Sequence, residues 1–76
     1  MNETYKVLEN HGAQQIRETQ TEESFWYDFI YKGQSYSLEQ YFDNLDEAYL
    51  SYFNWKVDKT VVGNFKSIIN LLFNDN

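Results

Sequence analysis

Twelve carboxylates and one histidine are the groups here that could move a proton or hold a metal; cysteine is absent. Zinc is held by sets of thiolates, imidazoles and carboxylates. His11, the lone imidazole, falls in Asn10-His11-Gly12, which has the composition of a turn. No thiol is available as a nucleophile, and the glycines at 12, 33 and 63 are too scattered for a phosphate-cradling loop. Asp46-Glu47 is an adjacent acid pair of the kind common near helix ends. These residues argue against an enzyme, and no cofactor or metal is expected.

The carboxylates have a different use. From Glu18 to Trp55 the acids are Glu18, Glu22, Glu23, Asp28, Glu39, Asp43, Asp46 and Glu47, and Lys32 is the one base among them. Eight acids less one base leaves −7 in the middle of a chain whose total is −6. Such a region repels nucleic acid and attracts basic surfaces, including those that bind nucleic acid. The alternative is that the acids simply keep a small protein in solution.

Periodicity suggests the elements that position these groups. Residues 4–8 suit a short strand, Asn10-His11-Gly12 a turn, Ala13–Thr19 a weak strand and Thr21–Ser24 a polar connector. Phe25–Lys32 is short, aromatic and the best strand, with Phe25, Tyr27, Phe29 and Tyr31 on one face and Trp26, Asp28, Ile30 and Lys32 on the other. Gly33-Gln34 reads as the following turn. Ser37-Leu38-Glu39-Gln40 matches a capping box, and Leu38, Tyr41, Phe42 and Leu45 then fall at i, i+3, i+4 and i+7. That pattern predicts a helix over 38–45. Glu47–Asp58 fits a strand or a continuation of that helix. Thr60–Phe73 carries Val61, Phe65, Ile68, Ile69 and Leu72 at helical spacing; Gly63 disfavours the helix interior, so the helix can begin after it.

With 76 residues there is room for one domain, and chains this small bury only about 60% of their unfolded surface. Disulfides and a zinc cluster are excluded as support, which leaves self-association. Seven Tyr, six Phe and two Trp exceed what one small core readily hides, and interfaces enrich aromatics. A homodimer is expected. Met1–Asn10 has no signal-peptide character and no apolar run approaches a membrane span, so a cytoplasmic protein without membrane contact is expected.

From about Phe25 to Lys59 the chain resembles the small dimeric uracil-DNA glycosylase inhibitors encoded by protein-primed phages of Bacillus. The resemblance rests on Trp26-Tyr27-Asp28-Phe29, Lys32-Gly33, Ser37-Leu38, Tyr41 and Lys56-Val57-Asp58-Lys59, in order, with about two extra residues at the hairpin turn. It implies an α+β fold: a three-stranded antiparallel sheet with a short helix packed on it, here with a C-terminal helical extension. A single domain over 1–76 would hold an inhibitor-like core at 25–59 and that extension at 60–76. It also implies a dimer whose paired helices frame an apolar pocket for the leucine that the glycosylase wedges into DNA. Tyr41 matches a helix aromatic of that contact. Phe42 stands where the family has an acid, and Leu45 where it has a second aromatic.

The function so implied is DNA mimicry in the host bacterial cytoplasm. Base flipping requires a basic groove and a wedge, and a mimic needs the complement of both. Asp28, Glu39, Asp43, Asp46 and Glu47 would meet the groove, and Leu38, Tyr41, Phe42 and Leu45 the wedge. The expected partners are a uracil-DNA glycosylase and a second copy of the chain, with no nucleic acid bound. Two alternatives fit the charge: an acidic decoy for a nuclease, a CRISPR effector or the transcription machinery, and an assembly dimer that uses its aromatics for self-contact alone.

Overall fold

The computed structural model describes residues 3–53 and 58–74. In chain order these form α1 (Glu3–Asn10), β1 (Gln14–Gln20), β2 (Ser24–Tyr31), β3 (Gln34–Tyr41), β4 (Glu47–Phe53), β5 (Asp58–Asn64) and α2 (Phe65–Phe73). The fold is α+β, with a five-stranded antiparallel sheet in the order β1-β2-β3-β4-β5 in place of the expected three strands. Both helices lie on one face of it.

Residues 4–8 belong to α1 rather than to a strand. Thr4 and Leu8, one helical turn apart, are both buried. The helix stops at Gly12, whose φ is +96°. There the Ala13 N–H donates to Leu8 O and the Gly12 N–H to Glu9 O, both at 3.0 Å, the paired bonds of a Schellman stop. Ala13 and Leu8 meet in the core, as that motif favours.

The largest departure from the sequence reading is at 37–45, where no helix forms. Lys32 and Gly33 have φ of +50° and +77°, which makes them the two central residues of a type I′ hairpin turn, one residue earlier than expected. That turn folds β3 back along β2 in continuous register from Tyr31↔Gln34 to Ser24↔Tyr41. The side-chain period becomes two. Tyr36, Leu38 and Gln40 join Tyr27 and Phe29 on the helix side, while Ser35, Ser37, Glu39 and Tyr41 face away. Ser37 caps nothing; its Oγ donates to Asp28 Oδ1 across the strands at 2.6 Å.

Glu47–Asp58 resolves as strand at both ends, β4 and the start of β5; Trp55 and Val57 lie outside the described residues. The segment expected to be helical from Thr60 is strand up to Asn64, because Thr60, Val61 and Val62 are β-branched and pair with Ser51, Leu50 and Tyr49. Asn64 then caps α2, its side chain accepting from the Lys66 N–H at 2.9 Å.

The core lies between the sheet and the helices: Leu8 from α1, Tyr27, Phe29, Leu38, Ala48 and Leu50 from the sheet, Ile68 and Ile69 from α2. Leu38 is at its centre, opposite Tyr27 on one side and Leu50 on the other, with no exposed surface. Its truncation removes a buried isobutyl group and leaves a cavity. Leu38→Ala is therefore expected to cost about 2–5 kcal/mol, whereas Leu45→Ala, at a side chain 47% exposed, should change stability by less than about 1 kcal/mol. Urea unfolding checks both, and equal small losses would contradict the placement of Leu38.

Candidate functional site

The face of the sheet opposite the helices is open, and strand alternation decides what it presents. Cross-strand neighbours on one face are roughly 5 Å apart at Cβ. One row runs Thr19, Trp26, Glu39, Tyr49, Val62 from β1 to β5. The next runs Arg17, Asp28, Ser37, Ser51, Thr60. Tyr41 stands two residues along from Glu39 on the same face, opposite Ser24. Aromatic rings and carboxylates thus alternate, with Glu39 framed by Trp26, Tyr49 and Tyr41.

Three carboxylates of the face are each held by a hydroxyl. Ser24 Oγ donates to Glu39 Oε2 at 2.8 Å, Tyr49 Oη to Glu47 Oε1 at 3.1 Å, and Ser37 Oγ to Asp28 as above. Ser24 is itself fixed by the β1–β2 turn, where the Thr21 hydroxyl accepts the Ser24 and Glu23 backbone N–H groups at 2.9 and 3.1 Å. The Phe42 N–H donates to Glu23 O at 2.8 Å, which ties that turn to the end of β3 and brings Glu23 towards Tyr41. Tyr41 and Tyr49 meet edge to face, centroids 5.4 Å apart. Among the described residues no lysine or arginine makes an ion pair with Asp28, Glu39 or Glu47.

The negative field is legible in the phenols. The charge of Glu39, first, then partial burial, with Glu23 and Asp43 adding, raises the Tyr41 pKa. The bond to Glu47 and its charge raise that of Tyr49. On the core side, burial raises Tyr27 well above the usual phenol value, and its hydrogen bond to Glu18 at 3.0 Å adds to the effect.

The structure separates the residues singled out in the sequence. Glu39 and Tyr41 come together on the open face, Asp28 lies in the adjacent row, and Asp43 is exposed in the β3–β4 turn close enough to act on Tyr41. Leu38 is the correction: it is sealed in the core and presents nothing to a partner. Phe42 is 40% exposed and packs edge to face on Phe25, centroids 4.8 Å apart. Leu45 is on the helix side, lining a cleft of about 550 Å³ between α1, α2 and the β3–β4 turn. The polar wall groups there bond one another, Thr4 Oγ1 to Gln40 Oε1 at 2.6 Å and Gln40 Nε2 to Leu45 O at 2.9 Å. The helical stripe thus forms no continuous pocket in this chain. Glu47 joins the open face beside Tyr49, whose hydroxyl donates to it. Trp26 and Tyr49 were not singled out. Alternation in 25–32 placed Trp26 beside Asp28, but Tyr49 needed the β3–β4 register.

Among the described residues no three histidine or acidic side chains converge as metal ligands, and no helix is long and apolar enough to cross a membrane. An open antiparallel meander with helices on one face only, its free face aromatic and acidic, is the arrangement to compare. No protein-family model, curated protein or solved structure matches the chain.

The tyrosine shifts have a measurable consequence. A phenol whose folded pKa lies above its unfolded value, about 10, favours the fold fully below that pH, and the contribution is lost as pH rises through the folded value. Phenolate absorbance of the folded chain should therefore lag that of the urea-unfolded chain, and stability should fall above about pH 10. Tyr27→Phe should remove the largest part of the lag. Superimposed folded and unfolded titrations would contradict the assignment.

Proposed function

We propose that this chain is a non-enzymatic inhibitor that occupies the DNA-binding groove of a uracil-DNA glycosylase, with the open face of its sheet standing in for the phosphate backbone. The observation that carries this reading is the set of hydroxyl-held carboxylates, Asp28, Glu39 and Glu47, on one face among aromatic rings, where Arg17, opposite Asp28, is the one cation of the described residues in their two rows. Carboxylates held in place keep their charge outward and attract a basic groove, raising the association rate. The rings supply the apolar area that affinity requires. The choice of glycosylase rests on the sequence resemblance.

Capture of the wedge leucine by a pair of helices is not part of this proposal, since β3 occupies the segment that would form them and Leu38 is buried. A homodimer remains part of it. The β5 edge suits such pairing: its register with β4 is unbroken and Val62 is 51% exposed, whereas the β1 edge is interrupted by a bulge between Gln14 and Arg17. The place of action would be the bacterial cytoplasm, where the glycosylase works.

The direct test mixes the purified chain with a bacterial uracil-DNA glycosylase and uracil-containing DNA. Uracil release should stop at micromolar excess, and inhibition should weaken as salt rises. Tyr41→Ala should weaken inhibition about tenfold or more, and Lys66→Ala, on α2, less than about twofold. Undiminished release would end this reading. Sedimentation equilibrium at micromolar concentration should give twice the chain mass; a monomer throughout would remove the dimer.

A further inference from the structure

Glu39 is a half-buried carboxylate in an unusual setting: Trp26 flanks it from β2, Tyr49 from β4, and Tyr41 follows it along β3. Partial burial of a charge is unfavourable unless it is compensated. Two hydroxyls of the chain compensate it, Ser24 on Oε2 and Tyr41 from the same strand. A carboxylate has about four acceptor positions, so capacity remains for a donor from outside the chain.

The surroundings select among cations. A lysine ammonium is compact and strongly hydrated, and it gains little from flat rings beside it. A guanidinium is planar and weakly hydrated; it bonds a carboxylate through two parallel N–H groups and stacks on aromatic faces. A row reading ring, carboxylate, ring matches the second and not the first. We infer that Trp26, Glu39 and Tyr49, with Tyr41 beside them, form an arginine-binding subsite filled by an arginine side chain of the partner protein. The inference rests on the reading of this face as the docking surface for a basic partner.

A second copy of the chain does not fit the subsite. The chain is −6 overall, its one arginine is Arg17, and Arg17 stands opposite Asp28 on the same face. Face-to-face pairing would set carboxylates against carboxylates.

The test uses the full chain carrying Trp55→Phe, which leaves Trp26 as the sole tryptophan. It is titrated with hexa-arginine and with hexa-lysine at equal, low ionic strength, followed by Trp26 fluorescence and by calorimetry. Hexa-arginine should bind at least about fivefold more tightly, the scale of one partly desolvated cation–π contact. Trp26→Leu and Glu39→Gln should each reduce that preference to twofold or less. Glu39→Gln is isosteric and keeps the test decisive if Trp26→Leu fails to fold, as circular dichroism would show. Equal affinity for the two peptides overturns the subsite, whether or not glycosylase inhibition is observed. A persistent arginine preference without glycosylase inhibition supports the subsite and strikes the glycosylase reading alone.

Discussion

The Lys32-Gly33 turn, with both residues at positive φ, governs which side chains this protein hides and which it offers. Two residues in a type I′ turn leave one register for the strands they join. In that register Tyr27 faces Leu38, and Asp28 faces Ser37. A slip of one residue would send Leu38 to the open face and Glu39 into the core. The rest of the sheet inherits the choice, since β4 pairs with β3 through Leu38↔Leu50 and Glu39↔Tyr49, and β5 extends both rows.

Burial and display are consequently two sides of one constraint. The helices cover the face where Tyr27, Phe29, Leu38 and Leu50 converge, and Ile68 and Ile69 complete the core. Among the described residues no helix covers the other face, so it must be tolerable in water. It achieves this by alternating rings with hydroxyl-anchored carboxylates. Ser24, Ser37 and Tyr49 each donate to one acid, which limits its rotamers and lets three like charges share a small area. The charge of Glu39 raises the Tyr41 phenol, and the bond to Glu47 raises that of Tyr49. On the proposed reading, the same arrangement disfavours a second acidic copy on this face and favours a basic protein.

The resemblance to the phage inhibitors and the structure agree on an α+β class and differ in architecture. The ordered motifs up to Tyr41 fall on β2, on the β2–β3 turn and on β3, where local aromatic and turn chemistry would be similar in either fold; of the last motif, Asp58 and Lys59 open β5 and Lys56-Val57 lie outside the described residues. The helix implied at Ser37 is absent because a capping box and an i, i+3, i+4, i+7 stripe are local signals, and the pairing of eight residues across the hairpin outweighs them. Leu38 satisfies both patterns: it begins the helical stripe and it alternates with Tyr36 and Gln40. Helical spacing could not tell these apart; the partner strand could.

The sequence by itself determined the acidic middle, the absence of thiol and imidazole clusters, the strand at 25–32 with its two faces, and a break at Gly63 before the last helix. Each is a property of composition or of a few adjacent residues, and local chemistry suffices to read it. Only the tertiary structure decided that α1 is a helix, that 34–41 is a strand, and that Glu39 lies between Trp26 and Tyr49. Those depend on contacts between residues far apart in the chain. Leu8 needs a sheet to pack against, and Glu39 needs β2 and β4 on either side, so no window of neighbouring residues contains the information.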